Sequence, residues 1–220
     1  MSNPWLYALT VGPLGLYLWV LGLWHSYRHP KVVTGLVDFA LLTFALSGVV
    51  VFGPFGQLLA RALFGKPDLL DWTVIVSGLG LVACLFARRS LHRVVVYHVD
   101  AQSLFDAISA SLDESGGRFA RTLRGFEDRE QGRGVNVELT PLLRSATVEA
   151  FGRDAEGLIQ SIRPRLRRHL RATTVVPSPV ALGLYGLSMA VMVLPLLGLF
   201  LTQPRARAAV RAVFDRLTGG

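Results

Sequence analysis

Residues 69–100 read LLDWTVIVSGLGLVACLFARRSLHRVVVYHVD and join two different kinds of sequence. The first part, Leu69 to Ala87, is an apolar run close to the ~20 residues that a helix needs to cross the hydrocarbon core of a bilayer. Arg88 and Arg89 end this run. Residues 94–99 follow and are rich in β-branched side chains, which favour a strand. The stretch therefore predicts a membrane helix that leads directly into a folded soluble domain.

Three other apolar segments have the length of membrane helices. Residues 4–24 carry no charged side chain, residues 32–52 end at the break Gly53-Pro54, and residues 180–201 are uncharged. Charged residues make up 17% of the chain, against about 25% in typical soluble domains. We therefore predict an α-helical membrane protein with four transmembrane helices, three within residues 1–90 (about 4–24, 32–52 and 69–87) and one within 175–203, and a short interfacial helix at 57–64.

The sequence between the third and fourth apolar segments predicts a small α+β domain over residues 91–174. Its strands are expected at 94–99, 118–127, 135–139 and 146–151, although alternation is poor in the second. One amphipathic helix follows Asp100, and the spacing of Leu158, Ile162 and Leu166 predicts another. The expected order is βαβββα, with the helices covering one face of a mainly antiparallel sheet.

The distribution of Lys and Arg predicts an orientation in the cell membrane, because cytoplasmic loops carry an excess of both. The first and third connections are the more basic, which places the N-terminus outside and the soluble domain in the cytoplasm. Residues 204–220 are expected to form a basic amphipathic tail. Four crossings place this tail outside in spite of its arginines. A re-entrant turn near Pro195 is the alternative, but 22 apolar residues fit one crossing better than two.

Asp38 is the ionisable residue of interest in the second apolar segment. A carboxylate within the bilayer would be a functional polar site, for example in the path of a transported solute. If the helix instead begins at Thr34-Gly35, Asp38 lies near the membrane surface and near a helix N-terminus that favours an acid. His25, Arg28 or Lys31 would then be its partner. We favour this second interpretation.

Five arginines lie within nine residues just before the fourth apolar segment: Arg163, Arg165, Arg167, Arg168 and Arg171. Anionic lipid headgroups attract such clusters. A solvated helix face that also sets the topology explains the run equally well. Nucleic acid is the weaker alternative, because exposed aromatic residues and a nucleic-acid-binding motif are missing from the sequence pattern.

The histidines and the single cysteine predict no cofactor or metal site. His25 and His29 are four residues apart, but two ligands do not make a selective metal site. His92 and His98 bracket the first strand of the domain and fit structural roles. Cys84 lies within an apolar run, where a small buried side chain is the simplest interpretation.

The order of segments resembles that of a group of uncharacterised bacterial integral membrane proteins with four helices and a small cytoplasmic α+β insert. The resemblance depends on residues 34–39 (TGLVDF), Ser47-Gly48, Phe52-Gly53-Pro54 and residues 94–97 (VVVY). It extends over most of the chain. It implies this topology and brings no known activity or ligand.

Two functions are compatible with this sequence. The first is a non-enzymatic binding or scaffolding subunit whose α+β domain is held at the inner leaflet, where membrane lipids and other membrane or cytoplasmic proteins, including further copies of the chain, would be its partners. The second is a small transporter or channel component that uses Asp38. An enzyme acting on lipids is weaker, because no cluster of polar catalytic groups is evident.

Overall fold

A computed structural model describes residues 4–176 and 178–202 of the chain. The predicted tail at 204–220 lies outside these residues. The helices are α1 (Pro4–Ser26), α2 (Gly35–Ser47), α3 (Pro54–Phe64), α4 (Leu69–Arg89), α5 (Ala101–Asp113), α6 (Ala155–Ala172) and α7 (Pro179–Thr202). The strands are β1 (Lys31–Thr34), β2 (Arg93–Tyr97), β3 (Ala120–Thr122), β4 (Gly125–Asp128), β5 (Arg133–Thr140) and β6 (Ser145–Gly152).

Among the described residues, three helical segments are long and apolar enough to cross a membrane: Ala8–Ser26, Gly35–Phe52 and Leu69–His92. The second combines α2 with a π-helical turn at Gly48–Phe52, and the third combines α4 with a short 3₁₀ turn. α7 is also apolar and lies antiparallel along α1. Close approach of these two helices depends on glycine, since a Cβ on Gly22 would lie 2.9 Å from the Tyr185 ring.

The start of the second segment differs from the expectation of a helix over 32–52. Residues 31–34 form β1, which pairs with β2 in antiparallel register from Lys31 opposite Tyr97 to Thr34 opposite Val94. The two valines of β1 point to opposite faces of the sheet, as a strand requires. Thr34 then ends the strand and caps α2, because its hydroxyl accepts a hydrogen bond from the Val37 amide at 3.2 Å.

The sheet has six strands in the order β1-β2-β6-β5-β4-β3, and every neighbouring pair is antiparallel. The expected antiparallel sheet is therefore confirmed, but the order βαβββα is wrong in detail, and helices cover both faces of the sheet instead of one. Residues 118–127 form two short strands instead of one. The chain turns at Leu123-Arg124, and Gly125 (φ 155°) follows in a backbone conformation that favours glycine. This hairpin explains the poor alternation of that segment.

The two faces of the sheet bury different sets of helices. Val94, Val96, Val135 and Val148 face α5 and α6, together with leucines and isoleucines of both helices, and form the core of the domain. Val33, Val95 and Tyr97 point the other way and pack with Leu21, Tyr17 and Trp24 of α1 and Leu184 of α7. The sheet is therefore placed between its own helices and two of the apolar helices.

Candidate functional site

A cluster of polar and aromatic side chains lies where the apolar helices meet the sheet. We call it the joint cluster, and it consists of Tyr17 and His25 from α1, Asp38 from α2, Tyr97 from β2, and His98. Of these, His25 and His98 are fully buried, Tyr97 is nearly so, and the other two are partly exposed. Three separate segments of the chain thus contribute polar groups to one boundary.

Asp38 lies in the first turn of α2 and accepts a hydrogen bond from the hydroxyl of Tyr97. The helix begins at Gly35, so the carboxylate has the position expected near a helix N-terminus. Within the described part of the chain, Asp38 forms no ion pair with His25, Arg28 or Lys31. The partner is instead a neutral phenol 59 residues away in the sequence.

Tyr97 connects the sheet to both α1 and α2. Its ring centroid lies 4.9 Å from that of Trp24 and 5.9 Å from that of His25, while its hydroxyl reaches Asp38. Burial raises the pKa of Tyr97, and the Asp38 carboxylate raises it further. The phenol therefore keeps its proton and remains a hydrogen-bond donor to the carboxylate.

His25 lies at the end of α1 and contacts two carbonyl oxygens. Its Nδ1 is 2.8 Å from the oxygen of Leu21, and its Nε2 is 2.6 Å from the oxygen of Leu143 in the β5–β6 connection. A carbonyl oxygen only accepts hydrogen bonds, so a ring nitrogen that carries a proton donates to the carbonyl that it faces. The His25 ring therefore lies between the end of α1 and the β5–β6 connection and contacts both.

His98 is fully buried next to His25, with 6.1 Å between the ring centroids. No hydrogen bond of normal geometry reaches either ring nitrogen from the residues that the structure describes, although the backbone of Val176 lies near the ring. Burial lowers the pKa of His98, and the charges of Arg144 and His25 lower it further, while the backbone of Val176 acts in the opposite direction. His98 is therefore neutral in the folded protein at neutral pH. Its left-handed backbone (φ 59°) is one that Asn tolerates well.

The pH dependence of stability should reveal this buried neutral histidine. The unfolded chain takes up a proton at His98 below about pH 6.5, while the folded protein does so only at lower pH, so acid favours unfolding in this window. We expect the free energy of unfolding of His98→Asn to rise relative to that of the unaltered protein as the pH falls below about 6.5. The difference grows by at most about 1.4 kcal/mol for each pH unit. Thermal unfolding between about pH 5 and 8 measures the difference. His29→Asn, at an exposed position, is the control, and equal pH profiles for all three proteins would contradict the prediction.

The five predicted arginines of α6 divide into two groups. Arg165 and Arg168 lie 3.6 and 3.9 Å from the carboxylate of Glu114, which also bonds His169 at 2.9 Å. Arg163, Arg167 and Arg171 are exposed, lie one turn apart, and form no ion pair with any described residue. With Gln160, Pro164 and Arg168 they line an open groove of about 650 Å³. We call this surface the basic face.

The basic face lies on the far side of the sheet from two of the apolar helices. The apolar side of α6, with Leu158, Ile162, Leu166 and Leu170, packs on the sheet face that also carries α5. α1 and α7 pack on the opposite face. The sheet therefore separates the basic face from α1 and α7, and only its C-terminal end, near Arg171, approaches the connection to α7.

The structure shows where the two N-terminal histidines and the single cysteine lie. α1 ends at Ser26, so His25 lies in the helix and His29 beyond it. Within residues 4–176 and 178–202 no group of three His, Cys, Asp or Glu side chains could hold a metal ion. Cys84 is exposed on α4 rather than buried in the protein. Tyr17 and Tyr97 carry no sequence signal that marks them as partners of Asp38, because the strand that places Tyr97 there is distant in the chain.

Comparisons with family models, with curated proteins and with solved structures find no match to this chain. The resemblance to uncharacterised bacterial membrane proteins therefore stays a prediction.

Proposed function

We propose that this chain is a multi-pass cell-membrane protein with α1, the α2 segment, α4 and α7 as its four membrane helices. Its α+β domain is a non-enzymatic binding module held at the inner leaflet. The observation that carries the proposal is β1. The segment between the first two apolar helices is hydrogen-bonded into the sheet, while Val33 and Tyr97 pack on α1. A domain attached in this way presents its surface to partners at a fixed height above the bilayer.

The joint cluster supports an attachment role for Asp38 in preference to a transport role. Its carboxylate is in the first turn of α2 and accepts a hydrogen bond from the sheet, so it links the membrane part to the domain. A transported solute would have to compete with Tyr97 for the same oxygen. On this proposal, Asp38→Asn weakens the attachment and leaves partner binding in place, whereas a transporter would lose its activity.

The basic face is the surface we propose for partner contact, with anionic lipid headgroups as the first ligand to test. Arg163, Arg167 and Arg171 form no ion pair with any residue that the structure describes, which leaves their charge available to phosphate groups. The end of the face near Arg171 is closest to α7 and hence to the leaflet. The remainder points away from α1 and α7, where a soluble anionic partner would have equal access.

Replacing Arg163, Arg167 and Arg171 with Gln is expected to weaken anionic-lipid binding about tenfold or more, because each basic residue near the surface contributes about 1 kcal/mol. The measurement is native mass spectrometry of the detergent-purified protein, titrated with phosphatidylglycerol or phosphatidylcholine. Addition of inorganic phosphate tests whether a free anion takes the same site.

The matched control removes the same charge elsewhere, through Gln at the exposed residues Arg118, Arg129 and Arg153. If this control weakens phosphatidylglycerol binding as much as the α6 variant, net charge alone is responsible and the basic face is not a site. Asp38→Asn should bind lipid like the unaltered protein. A loss of lipid binding in Asp38→Asn would contradict the attachment role.

A further inference from the structure

Three connections of the chain meet at the ends of α1 and α7. They are the α1–β1 connection at 27–30, the β5–β6 connection at 141–144, and the α6–α7 connection at 173–178, of which residue 177 is not described. The amide of Val175 donates to the carbonyl of Arg28 at 2.8 Å, and His25 contacts the carbonyl of Leu143 at 2.6 Å. These contacts hold the three connections at one level along α1, that of its last turn.

Each of these connections exposes an apolar side chain. Leu142 is 83% exposed, Val176 78% and Tyr27 47%, and Leu143 is exposed beside Leu142. We call these four residues the anchor surface. Basic residues alternate with them, because Arg28 follows Tyr27, Arg144 follows Leu143, and the ammonium of Lys31 lies 5.9 Å from the Tyr27 ring.

We propose that the anchor surface inserts into the boundary between headgroups and acyl chains of the bilayer that holds α1 and α7. This inference rests on the proposed membrane placement of those helices. Continuity with them is the main argument. The apolar segment of α1 ends at Ser26 and α7 begins at Pro179, so side chains fixed to these ends lie at the depth where a bilayer becomes polar.

The composition of the anchor surface fits the same neighbour. Tyrosine, with its apolar ring and polar tip, is enriched at membrane interfaces, and Arg or Lys beside it reaches the phosphate groups. A partner protein would have to replace lipid at a position that is already next to two membrane helices. The anchor surface also lies on the α1 and α7 side of the domain, unlike the basic face, so the two surfaces are independent.

The anchor surface gives the domain a second attachment, in addition to the pairing of β1 and the packing of Tyr97. β1 and Tyr97 hold the sheet to α1 and α2, while insertion of the β5–β6 connection would hold the hairpin end of β5 and β6 against the leaflet. The two attachments together would prevent rotation of the sheet about its β1 edge. The distance of the domain surface from the bilayer would then be set by structure rather than by a flexible linker.

The single cysteine of the chain provides a direct test. A polarity-sensitive fluorophore is attached to one thiol in each of three proteins, which are then placed in vesicles of phosphatidylcholine and phosphatidylglycerol. The first protein is the unaltered chain, labelled at Cys84 on the exposed surface of α4. The other two carry Cys84→Ser together with either Leu142→Cys or Gln131→Cys, and each is labelled at its new cysteine. Gln131 is an exposed residue at the opposite end of the sheet. Quenching by lipids with a doxyl group near the headgroup then measures contact with the bilayer.

We expect strong quenching at Cys84 and Leu142→Cys, severalfold above Gln131→Cys, with a blue-shifted emission at both. If Cys84 is quenched and Leu142→Cys behaves like Gln131→Cys, the anchor is wrong while the membrane placement stands. If Cys84 itself is not quenched, the membrane placement fails first and the anchor with it. A blue shift at Leu142→Cys without quenching would mean that protein covers the surface, which also overturns the lipid assignment.

Discussion

Val33→Asp is expected to release the α+β domain from α1 while the core of the domain stays folded. Val33, in β1, is buried in the apolar cluster with Leu21 of α1, so the substitution places a carboxyl group in an apolar contact without a partner. Even a neutral carboxyl there costs about 2–7 kcal/mol, the range for burying an unpaired polar group. Because β1 is an edge strand and Val33 belongs to the smaller apolar cluster, the chain avoids this cost by detaching β1.

Trypsin provides the measurement, because Arg28 is exposed while Lys31 lies in β1. In Val33→Asp we expect rapid cleavage after Lys31 in detergent-solubilised protein, with the fragment containing residues 91–174 remaining resistant. Thr34→Asp is the matched control, since Asp also serves as an N-cap and would keep α2 in place. Equal protection of Lys31 in the two variants would show that β1 does not hold the domain to the helices.

The core of the α+β domain could be predicted from its sequence. The spacing of Leu158, Ile162, Leu166 and Leu170 identifies the buried side of α6, and all four are buried as expected. The alternation of Val135 and Val137 identifies β5 in the same way. These patterns are local, because a helix or a strand that is buried on one side must repeat its apolar residues at its own period.

The attachment of the domain could not be predicted in the same way. Val32 and Val33 continue an apolar run that reads as part of a membrane helix, and only the pairing with β2 makes them a strand. The contact between Asp38 and Tyr97 likewise depends on a sheet that joins residues 31–34 to residues 93–97. A four-residue strand carries too little periodicity to be separated from the helix that follows it. The candidate site therefore becomes visible only once the fold is assembled.

Leu104→Ala should destabilise the domain far more than a change on the anchor surface. Leu104 lies in α5 and has no exposed surface, so removing its side chain leaves a cavity against the sheet. Core substitutions of this kind cost about 2–5 kcal/mol. Leu142→Ala, at a side chain that is 83% exposed, should change the free energy of unfolding in detergent by no more than about 0.5 kcal/mol.

Hydrogen–deuterium exchange of the β5 and β6 amides measures this difference, since these strands form the centre of the sheet and exchange when the domain opens. A loss of 2 kcal/mol or more corresponds to exchange about 30-fold faster or more in Leu104→Ala. The amides of α1 and α7 should be unaffected, because the domain core and the α1–α7 contact lie on opposite faces of the sheet. If both sets of amides exchange faster together, the domain and the membrane helices unfold as one cooperative unit. In that case Val33→Asp could not detach a domain that stays folded.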